Sequence, residues 1–481
     1  MAVNSHIHAL QVLPVVLLTT FVCIIAHKGF ILSAYLLVAA VLFLVIPYRV
    51  VFFLGDFKYR KTFTHSAYVV LLLPIVVVAS PLPPPATVAA ALFPVSAAVY
   101  IFARNTLQLN DLACCIIQLA LLPLLAAVPA PFGSLSTMAQ NAGILAAYYG
   151  ITVSLLSAFP GVFNLGEALL CASLLGFGVH QSAIIGPSTL APTAIIATVI
   201  VSVVFSLVPV RGMTRIAVCA AAWGVSVALM LPSVPRFSPA ALACTAYMAV
   251  VMVAGVHAIY RLPLSNTHAR KAFHALYALI VAPVIVVAPD FAAYAITAAL
   301  NVFLFIAMAH PAISVPGLAR FADAKDAVAP VSPVFLLAAP LAPLLTGFGP
   351  VASCSAAMAV WVGDSLAAIV GSRGRRLAVA PAPVSVLTDP ASPVSRRRQP
   401  TGKHWEGVWA MTGGLAAVWV ALALPLARGL TIDRAVLFIM ANIIGAAVCA
   451  LGELVTDAND NLTLPLAGVA TIAVISHTVP L

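Results

Sequence analysis

Long apolar runs, broken by brief polar punctuation, fill the 481 residues of this chain. A helix crossing the hydrocarbon core of a bilayer takes about 20 mostly apolar residues. Runs of that kind begin near residue 9 and continue to the C-terminus. Hydropathy predicts spans at about 9–26, 31–54, 66–81, 86–103, 112–129, 142–160, 168–187, 193–210, 214–232, 239–260, 272–289, 291–309, 332–348, 351–371, 407–427, 435–452 and 462–479. Several are short or contain Pro, so the expected number of transmembrane helices is roughly 13 to 17. Pro is tolerated inside such helices where neighbours satisfy the freed carbonyls. The runs are continuously apolar and do not alternate with a period of two, which argues against a β-barrel. The fold expected is an all-α integral membrane protein, a polytopic helical bundle.

Composition strengthens this picture. Hydrophobic residues make up 63% of the chain and charged residues only 7%. A soluble domain carries about 25% charged residues, so a soluble fold of this length would lack the polar side chains to cover itself. The N-terminal MAVNSHIHALQV has no basic stretch and no clear small-residue cleavage site follows, so the first apolar run reads as a retained helix. All eight Cys lie in or beside apolar runs and none forms a C-x-x-C pair, as expected of small buried hydrophobes.

Charge changes the picture next. The net charge is +10, and basic residues cluster at 58–61, 269–271 and 373–403. Cytoplasmic loops of membrane proteins are enriched in Lys and Arg, which places these three clusters on the cytoplasmic side. No basic domain with interleaved aromatics stands outside the spans, so nucleic acid is not an expected partner. Acidic residues divide unevenly: residues 1–322 hold four, whereas residues 323–481 hold nine. Two regions follow, a nearly charge-free transmembrane scaffold at 1–260 and a polar transmembrane region at 261–481 that holds the candidate chemistry. The second is interrupted at about 372–406 by a basic loop. The middle of that loop is rich in Pro, Ala and Ser, the composition of a poorly ordered segment.

Four polar patches carry the candidate chemistry. In GDSLAAIVGSRGRR (363–376), Asp364 sits inside an apolar run, and intramembrane carboxylates are functional by default. Gly363, Ala367, Ala368 and Gly371 form a small-residue face there, which suits close helix packing or close approach of a ligand to backbone. In RRRQPTGKHWEGVWAMTGG (396–414), basic residues precede Glu406 and Gly407 at the start of a span. Positive charge beside free helix N-terminal amides suits a phosphate, although Lys403 and Glu406 are also spaced to pair. In LGELVTDANDNLTLPL (451–466), Glu453, Asp457 and Asp460 would share one face if the stretch is helical. Like charges so placed repel unless a cation binds, and hard oxygen ligands suit Mg²⁺. In SNTHARKAFHALYAL (265–279), Arg270 and His274 are four apart, with Lys271 beside them, at the start of a span. They would serve as a snorkelling anchor or hold a phosphate. The P-loop, the kinase catalytic loop, G-x-S-x-G, H-E-x-x-H and G-x-G-x-x-G after a strand are all missing.

In chain order the four patches resemble the polyprenol kinase family, its dolichol kinases above all. That family carries Arg-Lys-x-x-His, then Gly-Asp-[Thr/Ser]-x-Ala-[Ser/Ala]-x-x-Gly. A basic loop ending Lys-[Lys]-Thr-x-Glu-Gly follows, and finally Glu-x-x-Thr-x-x-x-Asp-Asn-Leu-x-x-Pro-Leu. The matching residues are Arg270, Lys271 and His274; Gly363, Asp364, Ser365, Ala367, Ala368 and Gly371; Lys403, Glu406 and Gly407; and Glu453, Thr456, Asp460, Asn461, Leu462, Pro465 and Leu466. The match covers about residues 266–470. His404 stands where the family has Thr, and the loop before Lys403 is longer than usual.

The resemblance implies transfer of the γ-phosphoryl group of CTP to the terminal hydroxyl of dolichol or another polyprenol. Dolichyl phosphate, the lipid carrier for protein glycosylation, would be the product. The setting would be the endoplasmic reticulum membrane, with the nucleotide loop facing the cytosol. It implies Mg²⁺ or another divalent cation as cofactor. Asp364 and Asp460 would hold the metal or orient the attacking hydroxyl, with Glu406, Glu453 and Asp457 as further candidates for metal or base. Gly371, Ser372, Arg373, Arg375, Lys403 and Gly407 would surround the nucleotide, with Arg270, Lys271 and His274 steadying a phosphate. Phosphatidate cytidylyltransferases and phytol or diacylglycerol kinases are the alternative enzymes. A secondary transporter using midplane carboxylates is the alternative outside enzymology.

Overall fold

The computed structural model describes residues 30–45, 67–79, 84–110, 113–114, 116–117, 135–159, 162–185, 213–230, 238–309, 332–338, 340–346, 350–371, 405–424, 431–455 and 460–478. Among them every regular element is helical and no strand occurs. In chain order the helices are α1 (Phe30–Val45), α2 (Leu72–Ala79, entered through a 3₁₀ turn at Ala67–Leu71), α3 (Pro84–Asn105), α4 (Leu135–Ala158), α5 (Leu165–Ile185) and α6 (Met213–Met230). There follow α7 (Pro239–Arg261), α8 (Asn266–Val287), α9 (Pro289–Ala309), α10 (Ser332–Ala338), α11 (Leu341–Leu345) and α12 (Pro350–Met358). A π-helical turn (Ala359–Asp364) joins α12 to α13 (Ser365–Gly371), and α14 (Trp405–Ala423), α15 (Ile432–Val455) and α16 (Asp460–Thr478) complete the order.

Most expected spans in described parts of the chain appear as helices with shifted ends. The spans expected at 9–26 and 193–210, and most of 112–129, lie outside the described residues. The span expected at 332–348 is not one helix. It is split into α10 and α11, with Pro340 between them and Pro343 inside the second. Each Pro removes an amide donor and crowds the preceding turn. Among the described residues, four helical segments are long and apolar enough to cross a membrane: Pro239–Arg261, His268–Val287, Pro289–Ala307 and Ser353–Gly371.

The apolar core crosses the boundary near residue 260. One cluster joins Leu36, Phe43, Phe93 and Tyr148 to Phe335, Leu462 and Val469. Phe163 meets Phe335 edge-on with ring centroids 5.4 Å apart. A second cluster is built from the π turn and α13 to α16 around Trp419. The indole is fully buried, and its Nε1 donates to the Ser355 carbonyl at 3.0 Å. Gly445 and Gly468 make room for it: a Cβ at either would stand 3.1 or 3.2 Å from the ring.

One buried acid of the first region has a local explanation. Asn164 precedes α5, and its amide donates to Glu167 Oε2 at 2.9 Å while the Glu167 amide donates to Asn164 Oδ1 at 2.8 Å. This reciprocal capping box satisfies two amides that the first turn of a helix would leave orphaned. The described cysteines Cys114, Cys171, Cys244, Cys354 and Cys449 are buried, as their apolar setting implied.

Candidate functional site

The site forms where α8 crosses the π turn. Ser265 caps α8 by accepting from the His268 amide, so the helix starts six residues earlier than hydropathy alone predicted. Three pairings run down the contact: Cys354 Sγ reaches the Ala282 carbonyl at 3.6 Å, Tyr277 meets Trp361 with centroids 5.2 Å apart, and Lys271 meets Asp364. Residue numbers fall along α8 as they rise along the α12 segment, so the two pack antiparallel. That crossing delivers the first turns of α8 to the end of the π turn, where Asp364 lies.

Lys271, His274 and Asp364 are each only 4% exposed. The Lys271 ammonium donates to Asp364 Oδ2 in a buried ion pair. His274 Nδ1 lies 3.3 Å from the same oxygen but makes no aligned hydrogen bond among the described residues. Sequence spacing put Arg270 and His274 together on one face. The structure instead turns Lys271 and His274, three apart, towards Asp364, and leaves Arg270 half-buried. Lys271 is therefore neither a snorkelling anchor nor turned to solvent. A wide turn of this kind is rare and marks functional segments often enough to be informative. The π turn ends on Asp364 itself, and hydropathy carries no trace of it.

Two further carboxylates come to this point. The buried stripe of α15 runs through Asn442, Ala446, Cys449 and Ala450. One turn further at helical spacing stands Glu453, half-buried. Asp460 is the first residue of α16, where the amide dipoles favour an acid. Its Oδ1 accepts from the Asn461 amide at 3.0 Å. Carboxylate oxygens of Asp364, Glu453 and Asp460 all lie within 4.8 Å of one another.

The helix that carries Glu453, α15, is described to Val455 and the one that carries Asp460, α16, from Asp460, so the stretch between them, on which the expected face through 453, 457 and 460 depends, lies outside the described residues. Glu453 and Asp460 thus meet from two separate helices. Three hard oxygen donors brought this close could hold one metal ion.

The small-residue face next to Asp364 proves to be a packing face. A Cβ on Gly363 would meet Leu415 and Met411 at 3.0 Å, and one on Gly407 would meet the Ala367 carbonyl oxygen at 2.9 Å. Gly407 therefore serves the approach of α14 to α13. Gly371 closes α13 and is buried. Glu406 opens α14, and its Oε2 is buried without a hydrogen-bond partner among the described residues. Ser365 Oγ, next to Asp364, is likewise unpartnered among them. Ser372, Arg373, Arg375, Lys403, His404 and Asp457 lie outside the described residues.

The residues missed by sequence reasoning are supporting ones. Tyr277 and Trp361 fix the crossing, and Trp419 locks α14 to α12. Tyr277 could have been found by its spacing, three residues on from His274, on the face that Lys271 and His274 share. Comparison of the chain with protein-family models, curated proteins and solved structures finds no match.

Proposed function

We propose that this chain is a multi-pass membrane enzyme of the endoplasmic reticulum that phosphorylates the terminal hydroxyl of dolichol or a related polyprenol with CTP. The observation that carries the reading is the convergence of Asp364, Glu453 and Asp460 within 4.8 Å. They come from two motifs some 90 residues apart in sequence, the two that carry most of the family resemblance. Lys271 and His274, from a third motif, reach the same point.

Membrane embedding is supported by an inverted distribution of side chains. Val250, Val253 and Leu242 on α7 stand 60–71% exposed, while Lys271, His274 and Asp364 are buried. Such an arrangement suits a lipid solvent and a polar interior.

Phosphoryl transfer is mostly positioning and charge neutralisation. Asp364, Glu453 and Asp460 would hold a divalent ion, which when bound neutralises charge on the nucleotide phosphates. Arg373, Arg375 and Lys403, in the basic loop, would hold the triphosphate from the cytosolic side. The lipid oxygen forms a bond to the γ-phosphorus, the bond from that phosphorus to the β-bridging oxygen breaks, and CDP leaves. The hydroxyl proton passes to a carboxylate, and Glu406 is assigned this role because its buried Oε2 is unengaged among the described residues.

Purified protein given dolichol and CTP, labelled in turn at the γ and α positions, tests the reading. Label should enter the lipid from the γ position only. Label entering phosphatidate from the α position would mean a cytidylyltransferase, and no transfer to any lipid alcohol would overturn the kinase reading.

A further inference from the structure

We infer that Lys271 is a built-in competitor for the divalent ion: its ammonium holds Asp364 when the metal is away, and the two cations exclude one another. The inference rests on the reading of Asp364, Glu453 and Asp460 as a metal site and adds a residue that sets its affinity.

The geometry is specific. Lys271 is 4% exposed, and its ammonium is on Asp364 Oδ2. Asp364 is at the same time one of three carboxylates whose oxygens lie within 4.8 Å of each other. An ion bound by all three would stand within a few ångströms of that ammonium, and like charges so close in a buried setting repel strongly. His274 adds a second sign. Its Nδ1, in a side chain 5% exposed, points at the same oxygen from 3.3 Å yet has no aligned hydrogen bond among the described residues. Buried polar atoms are seldom left so, and this one faces the carboxylate cluster.

Lys271 also answers a need of the metal-free protein. A buried carboxylate without a counter-ion is strongly unfavourable, so an ammonium on Asp364 keeps the fold intact between binding events. The consequence is a metal affinity held below what the carboxylates alone would give. Coupling between two ligands is reciprocal. Here the intramolecular ligand is a side chain, and removing its charge should tighten the metal.

The experiment uses the full chain in lipid nanodiscs with Mn²⁺ as probe, free Mn²⁺ being read by electron paramagnetic resonance. Lys271→Met and Lys271→Gln should bind Mn²⁺ on the order of tenfold more tightly than wild type. Lys271→Arg, which keeps the charge, should stay close to wild type. Mn²⁺ should also raise the thermal midpoint of the neutral variants more than that of wild type, and Asp364→Asn combined with Lys271→Met should lose that gain. Equal or weaker Mn²⁺ binding in the neutral variants, with wild type binding, overturns the competition and leaves the metal site standing. Absence of Mn²⁺ binding in wild type and variants removes the metal site and the inference together. If the neutral variants fail to accumulate, recovery with Mn²⁺ in the medium and buffers supports the competition, and failure in both conditions counts against it.

Discussion

Glu167 and Asp364 are both acids buried in apolar helical surroundings, and the chain satisfies them in opposite ways. Glu167 is answered three residues away by Asn164, through hydrogen bonds that an amide side chain can also make. Asp364 is answered by Lys271, which is 93 residues away. Glu167→Gln should therefore change stability by no more than about 1 kcal/mol, the scale of a helix cap. Asp364→Asn leaves Lys271 facing an amide and should cost about 3–5 kcal/mol, the penalty for removing one partner of a buried ion pair. Asp460→Asn keeps the Lys271–Asp364 pair, so its stability loss should be smaller. Denaturant unfolding in detergent compares the three variants. Asp364→Asn and Asp460→Asn should both abolish CTP-dependent phosphorylation of dolichol. Full activity in either would remove that carboxylate from the mechanism.

At the level of elements, helix approach is governed by a few small residues. Gly407 lies against the Ala367 backbone, which cannot move aside as a side-chain tip can. Gly413, on the same helix, has open space where a Cβ would go. Gly407→Ala should force α14 away from α13 and lower both stability and activity. Gly413→Ala should leave activity intact and raise stability by up to about 1 kcal/mol through helix propensity. Trp419 is the other fastener, held between Ser355, Gly445 and Gly468. Trp419→Ala should cost about 3–5 kcal/mol, the usual range for emptying a large aromatic site. The glycines around Asp364 were visible in the sequence, but their spacing fitted a ligand site and a helix contact equally well. Only the position of α14 decided for the contact.

For the whole molecule the governing question is the solvent. Val253 is 71% exposed on α7, a helix that is only 11% buried over its most apolar window. In water, a surface Val→Arg change would shift stability by no more than about 0.5 kcal/mol. Facing lipid near mid-span it should cost about 2.5–3.5 kcal/mol. A reporter assay of membrane insertion on Val253→Arg separates the two, and unchanged insertion would count against α7 as a span. The same scale covers the basic loop. An Asn-x-Ser acceptor introduced near residue 385 should remain unglycosylated if the loop faces the cytosol. Modification there would reverse the expected orientation.

Hydropathy and composition by themselves determined the helical class, the approximate place of most helices in the described chain, and the concentration of acids in the last third. These properties depend on local runs of side chains, which are legible without knowing what they touch. The sequence also picked out Asp364, Glu453 and Asp460 as residues of interest, because charge is costly in apolar surroundings wherever it falls. Tertiary structure alone decided that these three meet, that Lys271 rather than Arg270 turns inward beside His274, and that Gly407 packs against a helix. Each outcome depends on how helices cross. Crossing is set by the fit of α8 on the π turn, of α14 on α13 and of α16 beside α12, between residues dozens of positions apart. No local pattern encodes which face of one helix will find which face of another, and that is where the Lys271–Asp364 pair arises.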